Sequence, residues 1–232
     1  MQARRASAFS TFLKRNMVVI FLVILCIGFG IGTSDVFTSG NVMDIFSSSI
    51  FFSANNLVNL TTQMAINAVL SAGLTYVIIL GGIDISVGSV AALAGVVAML
   101  VAQQLPNVNT FVAVLVLLGS AIAVGVVCGG FNGLMITRFN VVPMIATLAM
   151  LTIARGLSFV LSGGSSVFGV ANVYSWLGGA RFWTTPDKPT GWIPVITLVV
   201  IAAVYIIHTL LSKTVFGRHI YATGSNKNVA HL

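Results

Sequence analysis

The hydrophobic positions of this chain gather into six predominantly apolar runs, at residues 17–32, 64–80, 87–102, 111–136, 141–161 and 192–211. A helix needs roughly 17–25 such residues to cross the hydrocarbon core of a bilayer, and the shorter runs can borrow flanking positions. The pattern therefore predicts six membrane-spanning helices. The basic residues Arg4, Arg5, Lys14 and Arg15 ahead of the first run also suit a secretory signal sequence. No convincing small-x-small cleavage site follows, so the run is read as a retained span.

Polar positions interrupt the runs in a few places. In the second, Gln63, Asn67, Ser71 and Thr75 recur every four residues, which on a helix of 3.6 residues per turn gathers them on one face about 120° wide. Amides and hydroxyls on such a face either hydrogen-bond to a neighbouring helix or line a path for a neutral, hydroxyl-rich solute. Directly after comes Gly81-Gly82-Ile83-Asp84-Ile85-Ser86-Val87-Gly88. Asp84 and Ser86 stand where they can cap the third span. Alternatively, the two glycines break the helix and leave backbone facing a cavity, which is where irregular backbone is tolerated at membrane depth. In the fourth run Gly125, Gly129 and Gly133 are spaced for close approach of another helix, with Asn132 beside them. Arg155 follows Arg138 by seventeen residues, about 25 Å along a helix, and is expected to snorkel to the far interface, out of reach of Asp84.

Charge fixes the expected orientation. With a cytoplasmic N-terminus the inner segments hold Arg4, Arg5, Lys14, Arg15, Arg138, Lys213, Arg218 and Lys227, against Arg181 and Lys188 outside. Short cytoplasmic loops carry the excess of Lys and Arg in membrane proteins. Residues 1–16 are then a cytoplasmic N-terminus, 17–211 the transmembrane domain and 212–232 a cytoplasmic segment. The outer loop at 162–191, with Trp192 just beyond it, carries Tyr174, Trp176, Phe182 and Trp183, an interfacial aromatic belt or a docking surface for an external partner.

Composition narrows the class. Of 232 residues 57% are hydrophobic and 6% charged, with no Glu and a net charge of +7. Soluble domains carry about 25% charged residues, so a soluble enzyme, a nucleic-acid binder and a disordered tail are excluded. Cys26 and Cys128 both lie in apolar runs and suggest neither a disulfide framework nor a metal site. There is no G-x-x-x-x-G-K-[ST] phosphate loop, so ATP hydrolysis by that route is not expected of this chain.

Three blocks carry a resemblance. Residues 55–97, with the unaltered signature G-G-I-D-I-S-V-G, residues 129–164 and residues 217–232 resemble, in order, the permease subunits of bacterial ABC importers for monosaccharides of the ribose, xylose, arabinose and galactose type. The resemblance implies an all-α polytopic protein of the inner membrane that passes sugar by alternating access. It implies as partners a second permease subunit, an ATP-binding subunit and a periplasmic sugar-binding protein. ATP is used by the partner ATPase, and this chain holds no cofactor or metal of its own. The substrate pathway would include Gln63, Asn67, Ser71, Thr75, Gly81, Gly82, Asp84, Ser86 and Asn132. Residues 217–232 would begin the segment that couples to the ATPase, with Gly217, Arg218, Gly224, Asn226 and Ala230 at matching positions. Val229 and His231 depart from the family, which usually has Ala and Arg there. Family members continue with further spans, so the chain corresponds to the N-terminal part of a permease. An ion-coupled secondary carrier, and a non-transporting membrane subunit, remain the alternative classes.

Overall fold

The computed structural model describes residues 14–35, 40, 41, 43, 46, 48–105, 108–167, 181, 182 and 193–225. Seven helices are ordered along them as α1 (Met17–Gly32), α2 (Ala54–Ile79), α3 (Val87–Gln103), α4 (Thr110–Thr137), α5 (Pro143–Ser162), α6 (Val195–Lys213) and α7 (Val215–Ser225). A two-residue antiparallel pairing precedes α6, with β1 (Arg181–Phe182) against β2 (Ile193–Pro194). Each of the six apolar runs contains a helix. Four, α2, α4, α5 and α6, are long and apolar enough to cross a membrane, whereas α1 and α3 fall just short. The second helix begins ten residues before the apolar run, because polar Asn55, Asn56 and Asn59 extend it without adding hydrophobicity.

The chain forms two compact units, residues 1–63 and 64–232. In the first, the chain after α1 folds back on that helix's C-terminal end. The Thr33 hydroxyl donates to the Phe29 carbonyl at 2.7 Å and lies 2.8 Å from the Ser49 hydroxyl, while the rings of Phe29 and Phe51 stack 5.7 Å apart.

In the second unit α3, α4 and α5 form the packed centre. Leu93 of α3, Cys128 of α4, and Met150 and Ala154 of α5 make one buried cluster, flanked by Val90, Val97 and Val124. Ala102 and Ala113 close the other end of the α3–α4 contact. Local chemistry starts and stops these helices. The Asn109 side chain accepts the Phe111 N–H at 3.0 Å to cap α4. Pro143 opens α5 at the position where its missing N–H is harmless, and Gly163 ends it in the left-handed conformation.

Among the described residues, the glycine ridge of α4 is not where a neighbouring helix packs, contrary to expectation. Nothing lies within 4 Å of where a Cβ would sit on Gly125, Gly129 or Gly133. The neighbouring helices instead meet the adjacent stripe through Val124, Cys128 and Asn132. Successive residues differ by about 100° around a helix, so a one-residue offset turns the glycine ridge away from α3 and α5.

The last two helices meet at a sharp corner. Thr214 is extended, its hydroxyl donates to the Leu210 carbonyl at 2.5 Å, and it accepts the Gly217 N–H at 3.3 Å. A Cβ on Gly217 would collide with the Leu210 and Leu211 carbonyls, so the turn closes only over glycine. Further up α6, Thr209 and Ser212 donate to the carbonyls of Tyr205 and His208 at 2.8 and 2.6 Å, and the Tyr76 hydroxyl donates to that of Ile207 at 2.5 Å.

Candidate functional site

The signature segment between α2 and α3 is non-helical backbone held from three sides. Gly81 has φ 75°, which a residue with a side chain adopts only under strain. The chain then passes so near α2 that a Cβ on Gly82 would sit 3.1 Å from the Val77 side chain. Asp84 Oδ1 accepts both the N–H and the hydroxyl of Ser86, each at 2.7 Å. Asn132 of α4 donates from Nδ2 to the Ser86 Oγ at 3.3 Å. The Thr147 hydroxyl of α5 lies 3.2 Å from both the Ile83 and Met144 carbonyls and is shared between them. Ser86 is 1% exposed and Asn132 6%.

Asp84 therefore stabilises the approach to α3 from two residues upstream of Ser86. Ser86 occupies the N-cap position, but its side chain makes no capping bond to the helix. Its hydroxyl is engaged by Asp84 and Asn132 instead. Ser86 and Asn132 are both buried, and the hydrogen bond between them anchors the segment to α4. Thr147, unremarked in the sequence, completes the clamp; four residues after a helix-opening proline, it carried little signal of its own.

On α2, Asn67, Ser71 and Thr75 are exposed on one face, and Gln63 is exposed four residues earlier on the same helix. The Thr75 hydroxyl donates to the Ser71 carbonyl at 2.9 Å. The side chains of Gln63 and Asn67 make no hydrogen bond among the described residues and so remain free to meet a partner.

The C-terminal helix α7 returns to the end of α2. Tyr76 and Phe216 lie with ring centroids 6.2 Å apart. A Cβ on Gly224 would overlap the Ile79 carbonyl. Gly217 and Ile220 are buried, and Arg218 is exposed in the first turn of α7. Asn226 and Ala230 lie outside the described residues, as do Tyr174, Trp176, Trp183 and Trp192 of the outer aromatic group. Phe182, on β1, is exposed.

A helical bundle of this length and apolarity, with a polar clamp between two of its helices and a short amphipathic helix across one end, is a polytopic membrane protein. Residues 56–232 match the model of the family described as the permease component of the branched-chain amino acid transport system, and the chain belongs to that family. Among curated relatives, it is 37% identical over 186 residues to the ribose import permease protein RbsC of Escherichia coli, covering 78% of this chain and 54% of the relative. It is 28% identical over 243 residues to the galactose/methyl galactoside import permease protein MglC of Escherichia coli, covering 100% of this chain and 66% of the relative. To the D-allose transport system permease protein AlsC of the same organism it is 30% identical over 184 residues, covering 79% and 52%. The chain thus spans about half to two thirds of the length of these relatives. No solved structure matches it.

Proposed function

We propose that this chain belongs to the membrane-spanning part of an ATP-driven importer that carries a monosaccharide across the bacterial inner membrane. The observation that carries the reading is its similarity, over most of its length, to import permeases named for ribose, galactose and allose. The geometry adds a mechanism. The start of the proposed coupling segment, α7, rests through Gly224 on the last carbonyl of α2, immediately before the Gly81–Gly82 break. A push on α7 from outside the membrane reaches α2 without an intervening loop, and α2 carries Asn67, Ser71 and Thr75 on its exposed polar face. In alternating access that displacement tilts the polar face from one side of the membrane to the other.

In this reading an ATP-binding subunit docks on α7 and the segment beyond it, and hydrolyses the ATP. A second permease copy completes the pathway, and a periplasmic sugar-binding protein delivers the solute. The N-terminus is cytoplasmic, and the chain needs no cofactor or metal. Gln63, Asn67, Ser71 and Thr75 contribute hydroxyl and amide contacts to the passing sugar, while Asp84, Ser86 and Asn132 fix the break beside them.

Co-purification tests it. The chain extracted in detergent should bring down an ATP-binding subunit whose ATPase activity rises when the binding protein is added with D-ribose, D-galactose or D-allose. Recovery of the chain without any ATPase, together with sugar uptake abolished by a protonophore, would replace the importer with an ion-coupled carrier.

A further inference from the structure

A cavity of about 470 Å³ opens along α5 and the first turns of α3. Its lining includes Ser89 of α3, Arg155, Ser158, Phe159 and Ser162 of α5, and Ser165 in the turn that follows. Arg155 is the thirteenth of the twenty residues of α5, about 18 Å from its start at 1.5 Å per residue. That leaves it about 10 Å from the other end of the helix, where a guanidinium either snorkels to the interface or faces water, a polar cavity or a partner. Among the described residues no carboxylate pairs with it.

The hydroxyls around it are similarly uncommitted. Ser89 is 9% exposed, yet its hydroxyl makes no hydrogen bond among the described residues, and the same holds for Ser158. Both hydroxyls are open to the cavity and can donate to or accept from a ligand. Ser162 and Ser165 donate to the Phe159 and Ser162 carbonyls at 3.2 and 3.3 Å, which leaves their oxygens available as acceptors. Phe159 is 67% exposed, with its ring beside Gly164.

From this set we infer that the Arg155 cavity is a binding site for a neutral, polyhydroxylated ring the size of a monosaccharide, separate from the polar face of α2. The inference rests on the importer reading for its biological sense, and on the cavity's own chemistry for its ligand. A guanidinium offers donors in a rigid fork, which suits two adjacent hydroxyl oxygens, and serine hydroxyls both donate and accept. A sugar ring has one apolar face of polarised C–H bonds, which complements the negative face of an aromatic ring. The lining residues include no carboxylate to hold a cation, and the test below separates a neutral sugar from an anion. The volume falls in the range of small-molecule sites, roughly 300–1,000 Å³.

The test uses the full chain in phosphatidylcholine nanodiscs, with saturation-transfer NMR of D-ribose, D-galactose and D-allose, beside uptake of the same labelled sugars by cells expressing it. At least one sugar should give a transfer signal. Arg155→Gln should weaken its binding by about tenfold, the loss of a charge-assisted hydrogen bond. Phe159→Leu, at an exposed position where folding is not at stake, should weaken it severalfold with helical content unchanged. Wild-type protein without a signal for any of the three, or both variants binding as wild type does, would overturn the site. Phosphatidylglycerol retained by the wild type and released by Arg155→Gln, with no sugar signal, would assign the cavity to an anionic headgroup and overturn it equally. Binding at the cavity without uptake by the wild type would sink the importer reading while supporting the site. Uptake untouched by variants that have lost binding would overturn the cavity's place on the transport path and leave the importer standing.

Discussion

At Asp84 charge and geometry can be separated. Both hydrogen bonds reaching its Oδ1 come from Ser86, and an asparagine oxygen accepts the same two. Asp84→Asn should therefore keep membrane insertion and sugar uptake within about twofold of the wild type. Asp84→Leu leaves two donors without their acceptor, at about 1–3 kcal/mol for each buried group, and should lower the thermal unfolding midpoint in detergent and the uptake together. Uptake lost in Asp84→Asn would show that the charge itself is needed. The sequence already singled out Asp84 and Ser86, favouring a cap and keeping cavity lining as the alternative. Asn132 and Thr147 hold the same segment from other helices, and contacts separated by 46 and 64 residues along the chain leave no trace in local spacing.

At the level of elements, the apolar runs marked where helices would form because length and hydrophobicity are all a bilayer demands of a span. They did not mark which side of a helix its neighbours choose. On α4 the glycine ridge is the conspicuous feature and the buried stripe beside it is ordinary in composition, so spacing pointed one residue away from the true contact. Helix contacts made with little room to spare lie elsewhere, at Gly217 and Gly224. Gly224→Leu should force α7 off the end of α2, cutting uptake at least about tenfold while the chain still inserts, since no spanning residue changes. Gly129→Ala, set in open space, should leave the unfolding midpoint of the purified chain unchanged within about 1 °C. A large destabilisation by Gly129→Ala would mean that the ridge is occupied after all. The β1–β2 pairing had no counterpart in the sequence reading; two-residue strands are too short to produce an alternating pattern.

Across the whole molecule, the distribution of basic residues predicts that both ends face the cytoplasm. Fluorescent protein fused after Leu232 should fluoresce, and alkaline phosphatase fused at the same point should be inactive. An active phosphatase there would require an odd number of crossings and would leave one of the two short helices, α1 or α3, outside the span count. α3 is short for a physical reason, since the chain enters it through five non-helical residues, 82–86. The cavity beside Arg155 was invisible at this scale in the sequence. Arg155 suggested snorkelling, and only the return of the turn after α5 brings Ser165 to the same space as Ser89.

The end of α6 behaves as a soft joint. Carbonyls of Tyr205, Ile207, His208 and Leu210 each accept a side-chain hydroxyl, competition that weakens a helix's own ladder and favours bending. Stiffness along that strut therefore drops just before the corner at Thr214. A load applied to α7 would meet flexure on the α6 side, whereas on the α2 side the Gly224 backbone bears directly on the Ile79 carbonyl. The two routes out of α7 differ in compliance, a yielding joint towards α6 and a hard point of contact at α2, which in the proposed importer would direct a stroke on α7 to α2.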